Sequence, residues 1–310
     1  MATVAVFGAS GRQGMAQVRQ LKAAGHEVRA ISRSPDPFNG EDFGEVEIKP
    51  ADLSDDASVR AAVEGMDGVF YTHPLRSGPY RTEWLTRVGL ASKDAGVKRV
   101  VWNTSSWIPD RPGDPGTYAN NTEGLNALFR TGAPATVFGS VLFMDNLLTN
   151  WARPFIVREG RYVYPHSPEL EANWISLDDV AKFMIAALDR PDLEGAWLNI
   201  GGPKRMRGPD VATALSKALG KPVRYDPCSP EEFGRLLAGA YGDAMSPEER
   251  TFTENRIAAF YRYNNDSPTR PFCVDVDAML DRIPIELETM DQWARRQDWS
   301  DTNRPRPPAG

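Results

Sequence analysis

Gly8, Gly11 and Gly14 follow an apolar run within Val-Ala-Val-Phe-Gly-Ala-Ser-Gly-Arg-Gln-Gly, residues 4 to 14. Glycines at this spacing suit one task, holding the pyrophosphate of a dinucleotide. Lacking side chains, they let the backbone turn sharply and let phosphate oxygens approach amide N–H groups. Ser10, Arg12 and Gln13 fill the intervening positions and are candidates for the same contacts. Arg33 stands in Ser32-Arg33-Ser34, just after a second apolar run, with no Asp or Glu where a ribose diol would need one. A guanidinium there grips a 2′-phosphate bidentately, and Arg12 adds a second positive charge. Either arginine alone reads more readily as a solvated surface charge; together they favour NADP over NAD. Asp52-Leu53 suits the edge and face of an adenine ring, or is a plain loop carboxylate beside a core leucine. Thr72-His73-Pro74 offers a hydroxyl and backbone to phosphates or a nicotinamide ribose, although His73 also reads as an ordinary polar loop residue.

These residues need strands that end together and helices that point at them. Val4 to Phe7, Glu27 to Ile31, Gly44 to Lys49, Gly68 to Thr72 and Val97 to Asn103 read as strands. Met15 to Ala24, Asp55 to Val63 and Tyr80 to Ala95 read as the helices between them. Such alternation predicts an α/β fold of Rossmann type, a doubly wound parallel sheet with helices on both faces. Ligands in such sheets bind outside the carboxyl ends of the strands, where the candidate residues fall. Beyond about residue 150 the pattern loosens, with frequent Pro and Gly. Residues 1–150 therefore read as the nucleotide-binding domain and 151–310 as a smaller, substrate-covering α+β part interleaved with it. Ser176 to Leu188 and Pro209 to Leu219 are helices within that second part, and the polar tail 302–310 is expected to fray. Asp178 and Asp179 are adjacent, so they face different ways on a helix and read as capping residues.

With 310 residues, 41% hydrophobic and 25% charged, the chain can bury a sizeable core. A net charge of -6 argues against a nucleic-acid partner. No apolar run approaches transmembrane length, which predicts no membrane partner. The first strand is itself the nucleotide strand, so a cleaved leader is not expected and the chain reads as cytoplasmic. Two cysteines far apart and three scattered histidines supply no metal spacing.

The glycine run, Val-Arg-Ala-Ile-Ser-Arg-Ser-Pro around Arg33, Ala-Asp-Leu-Ser-Asp, Leu-Phe-Met-Asp-Asn-Leu-Leu at 142 to 148 and Trp-Ile-Ser-Leu-Asp-Asp-Val-Ala at 174 to 181 together resemble the NmrA-like group of atypical short-chain dehydrogenases/reductases. The resemblance spans about residues 1 to 300 and rests on the ordered set, since the glycine loop alone is widely shared. It implies NADP(H) on a Rossmann domain beside a small C-terminal domain. Some members reduce quinones, carbonyls or aromatic intermediates, while others sense the cofactor without turnover. The wider superfamily's serine, tyrosine and lysine imply catalytic roles for Ser105 or Ser106 and for Tyr118, which stands thirteen residues after Ser105. The lysine is missing: Thr122 stands four residues after Tyr118, and Asn121 matches it under the family's own alignment. A neutral side chain does not stabilise a tyrosinate as a lysine does. The resemblance also places Phe143 and Asn146 near nicotinamide and substrate. Trp107 joins them as a candidate substrate wall, from a set of aromatics that includes Trp151, Phe155, Tyr162, Tyr164 and Trp174. The expected activity is NADPH-dependent reduction of a small aromatic or conjugated carbonyl or quinone-type acceptor. The alternatives are a non-enzymatic redox sensor with a protein partner and non-redox natural-product tailoring on the same fold.

Overall fold

The computed structural model describes residues 1–34, 36–38, 40–74, 78–109, 116–240 and 245–300; the tail expected to fray lies outside the described residues. Seven parallel strands form the central sheet: β1 (Thr3–Phe7), β2 (Glu27–Ile31), β3 (Glu47–Lys49), β4 (Gly68–Thr72), β5 (Arg99–Asn103), β6 (Ala135–Ser140) and β10 (Trp197–Ile200). Their spatial order is β10-β6-β5-β4-β1-β2-β3, so the chain reverses direction across the sheet between β1 and β4. Register aligns the carboxyl ends: Phe7 lies opposite Ile31, and Thr72 opposite Asn103.

Alternation in the strands sorts side chains to two faces. Val4 and Val6 join a core with Val18 and Leu21 of α1 (Arg12–Ala23) and Val180, Phe183 and Met184 of α5 (Leu177–Ala186). Ala5 and Phe7 face the other core, with Val59 and Val63 of α2 (Asp56–Val63), Leu85 and Val88 of α3 (Arg81–Asp94), and Leu125 and Leu128 of α4 (Gly116–Arg130). Local chemistry starts these helices. Asp55 caps α2 by accepting from Ala57 N, and Ser176 caps α5 by accepting from Asp179 N.

After residue 150 the chain still contributes β10 to the seven-stranded sheet and α5 to the core on one of its faces, so the second part is not contiguous. What remains packs, together with residues 142–148, around a third core rich in aromatics. It holds two short parallel pairs, β7 (Leu142–Phe143) with β9 (Trp174–Ile175) and β8 (Arg161–Tyr164) with β11 (Arg224–Pro227). Helices α6 (Gly208–Leu219), α7 (Pro230–Ala240), α8 (Pro247–Asp266), α9 (Val276–Arg282) and α10 (Met290–Arg296) complete the chain. Asp178 pairs with Arg19 of α1 at 2.8 Å and with Arg296 of α10 at 2.9 Å, while buried Asp179 accepts from Lys182 Nζ and Glu288 N. Among the described residues no helix is long and apolar enough to cross a membrane, and no cluster of three His, Cys, Asp or Glu side chains could hold a metal.

Candidate functional site

A cleft of about 180 Å³ opens at the carboxyl ends of β1 to β4, beside the reversal point where such sheets bind ligands. Gly8, Ser10, Gly11, Gln13 and Gly14 form one wall. Ser32 and Arg33 after β2, Leu53 after β3, and Thr72, His73 and Pro74 after β4 supply the rest. Gly8 needs its glycine for a left-handed φ of 74°. Gly14 needs its own for closeness: a Cβ there would lie 2.6 Å from Ala9 Cα and nearer still to the Gly8 carbonyl. Helix α1 thus starts hard against the end of β1. Its N-cap, Gly11, makes no side-chain capping bond. The first amides of a helix have no intrahelical partner and carry its positive end. An open glycine turn, uncapped amides and an exposed guanidinium at the next strand end fit a dinucleotide, with its pyrophosphate on the turn.

Several polar side chains are held around this cleft by one network. Gln13 Nε2 donates to Ser105 Oγ at 3.0 Å, and Asn103 Nδ2 donates to Gln13 Oε1 at 2.6 Å. Asn103 Oδ1 in turn accepts from Ser140 Oγ at 2.6 Å and from Ser105 N at 3.3 Å. Ser105 is held at φ 62°, a left-handed conformation that non-glycine residues adopt rarely and often at functional sites. Gln17, one turn after Gln13, is buried and donates to Thr72 Oγ1 at 3.2 Å, tying α1 to the end of β4. Gln17, Asn103 and Ser140 were not singled out from sequence. The visible signal was a polar residue on an otherwise apolar buried face or run, as in Val-Val-Trp-Asn.

His73 borders the cleft with its ring edge-on to Trp102 and its Nδ1 3.2 Å from the Tyr71 hydroxyl. Burial, reinforced by the nearby Arg81 cation, lowers its pKa to about 3, so the ring is neutral at pH 7. Asp52 lies outside the cleft lining. Its carboxylate accepts from Ser54 N and Ser54 Oγ, which hold its pKa below the usual value, with Arg33 and Arg87 adding to the effect. It shapes its own turn, and Leu53 alone of the pair reaches the cleft.

Long-range partners surround the other expected site residues. The Arg12 guanidinium donates to the Asp145 carbonyl at 2.6 Å. Tyr118 is fully buried and does not line the cleft. Its hydroxyl donates to Asn264 Oδ1 of α8 at 2.7 Å, and its ring packs on Trp107, Phe260 and Tyr263. Ser105 bonds to the glycine loop instead of forming a pair with Tyr118. Asn121 is buried, donating to Ser106 Oγ at 2.8 Å and to the Trp107 carbonyl at 3.0 Å, and so braces the loop after β5. Trp107 and Phe143 pack in the first core, and the Asn146 carbonyl accepts from Thr149 Oγ1 at 2.7 Å. None of Trp107, Phe143 and Asn146 lines the glycine cleft. Tyr162, Tyr164 and Trp174 are likewise core residues.

The sequence profile of the NmrA-like family matches residues 1–293. An NAD(P)H azoreductase of Xenophilus azovorans is 30% identical over 249 residues, covering 78% of this chain and 85% of that protein. Among solved structures, the negative transcriptional regulator NmrA in complex with NAD superposes with a TM-score of 0.74 at 18% identity, covering 96% of this chain and 98% of that one. Triphenylmethane reductase of Citrobacter sp. complexed with NADP(H) superposes with a TM-score of 0.72 at 19% identity, covering 94% and 99%.

Proposed function

The chain belongs to the NmrA-like family, and from that membership we propose that it is an NADPH-dependent reductase of a flat, conjugated acceptor. The observation that carries this reading is Arg33 at the rim of a cleft built by an uncapped glycine turn. NADP(H), when bound, supplies hydride; the chain's residues supply position. Gly8 to Gly14 offer backbone amides to the pyrophosphate, Arg33 grips the 2′-phosphate, and Leu53 offers an apolar face to the adenine. Thr72, His73 and Pro74 border the path toward the reacting end. The Xenophilus relative is named for azo compounds and the Citrobacter structure for triphenylmethane dyes, both of them conjugated acceptors. The aromatic-rich part after residue 150, apart from α5 and β10, covers the acceptor.

The acceptor is an activated one. His73 is neutral, the Tyr118 hydroxyl is committed to Asn264, and no lysine accompanies it. A quinone or azo bond accepts hydride without strong general-acid assistance, its proton following from water. Loss of NADPH absorbance against quinones, azo dyes and unactivated aromatic aldehydes tests this. Turnover with the first two and little with the third is expected; fast aldehyde reduction abolished in Tyr118→Phe would overturn it. Tight NADPH binding without turnover of any acceptor would leave the second reading, a redox sensor presenting a surface to a protein partner. The sealed Tyr118–Asn264 pair is the observation that favours that reading.

A further inference from the structure

A second cavity, of about 350 Å³, shares no lining residue with the glycine cleft. That volume falls within the range of small-molecule sites, roughly 300 to 1,000 Å³. Its apolar lining comes from Met144, Trp174, Met206 and Met290, of which all but Met206 are core residues presenting one face to the space. Thioether and indole surfaces adapt to flat apolar ligands. Lys204 and Arg205, on the turn between β10 and α6, stand at the same cavity and are exposed.

The lining carries two cations, Lys204 and Arg205, and two carboxylates, Asp210 and Asp291, and the carboxylates have other partners. Asp210 accepts from Arg207 N at 2.9 Å, closing the first turn of α6, and Asp291 pairs with Lys217 at 3.3 Å. Arg207 and Arg270 both face Glu171. Lys204 and Arg205 make no hydrogen bond or ion pair among the described residues. The two carboxylates of the wall are thus engaged elsewhere, while two cations remain over an apolar floor.

We propose that this cavity binds a small organic anion with a flat apolar body. The body lies on Trp174 and the methionines, and a carboxylate or sulfonate sits between Lys204 and Arg205. The site differs from the cofactor cleft in lining and in charge arrangement.

The test uses the full chain saturated with NADPH and two fluorescent probes of similar shape, anionic anilinonaphthalene sulfonate and neutral N-phenylnaphthylamine. One sulfonate probe per chain is expected. In K204Q/R205Q its affinity falls by about tenfold, with the neutral probe and NADPH unaffected. Met206→Trp, which fills the space, is expected to remove binding of both probes. Equal sulfonate affinity in K204Q/R205Q overturns the proposal, as does failure of the NADPH-saturated wild-type chain to bind the probe. Unaltered binding of both probes in Met206→Trp does the same.

Discussion

The rim of the sheet at β1 and β2 and the block around Tyr118 are both places where a reductase of this superfamily would work, yet they are built in opposite ways. At the rim, donors are left for a ligand: α1 starts without a side-chain cap, and Arg33 projects into water. Around Tyr118 the groups are closed on one another. Tyr118 bonds to Asn264, Asn121 to Ser106 and Trp107, and helix α8 seals the set with Phe260 and Tyr263. Buried polar groups must find partners, so without a lysine to orient it this block has become a structural joint. The two regions therefore differ in what they leave free: the rim offers its donors outward, whereas the Tyr118 hydroxyl is already bonded to Asn264.

The largest effect should come from Gly14→Ala, because the new Cβ meets backbone that has nowhere to move. A loss of about 3 kcal/mol in denaturant unfolding is expected, together with loss of NADPH binding by calorimetry. Unchanged binding would mean that the turn is not the anchor. Next, Arg33→Asp should weaken NADPH by about 100-fold and NADH by no more than threefold, since charge-assisted bonds to one phosphate are lost. Arg12→Gln should loosen the 142–148 segment while preserving the NADPH-to-NADH preference. If Arg12→Gln also erases that preference, the two arginines act together after all.

Smaller is the expected effect of Tyr118→Phe. It leaves Asn264 Oδ1 buried without its donor, at a cost of about 1–2 kcal/mol in unfolding, with quinone reduction changed by less than twofold. A tenfold fall in kcat would return Tyr118 to the chemistry. The finest distinction concerns two neutral histidines, His73 at the rim and His166 sealed among Tyr164, Trp174, Tyr261 and Phe272. Burial lowers the pKa of each to about 3, against 6.5 for an imidazole in water. The unfolded chain therefore binds more protons between these values. The stabilising contribution is complete above about pH 6.5 and declines as pH falls toward 3, with a limiting slope of about 1.4 kcal/mol per pH unit for each ring. His166→Phe should remove roughly half of this acid-side slope in unfolding curves, whereas NADPH should shift only the part due to His73.

The open rim was legible in the sequence because its chemistry is local. A left-handed Gly8, a helix packed on Gly14 and polar residues at strand ends follow from a few adjacent residues and the period of the strands. The sheet was legible for the same reason: β2 and β4 begin and end where the pattern places them. The closed block was not, since each side chain there is claimed by a residue far along the chain. Arg12 reaches Asp145, Tyr118 reaches Asn264, and Asp178 reaches both Arg19 and Arg296. The carboxylate of Asp52 is engaged locally instead, accepting from Ser54 within its own turn. Spacing showed that a serine and a tyrosine were available, and tertiary structure determined what they touch.

The Arg12–Asp145 bond also sets an order of events at the ribosome. The glycine turn is made first, but the carbonyl that holds Arg12 emerges 133 residues later, and Asp178, the partner of Arg19, later still. Strand β10, which closes one edge of the sheet beside β6, follows them. A nascent chain halted before residue 145 would present the turn without its clamp. The glycine turn is therefore made well before the segment that clamps its arginine.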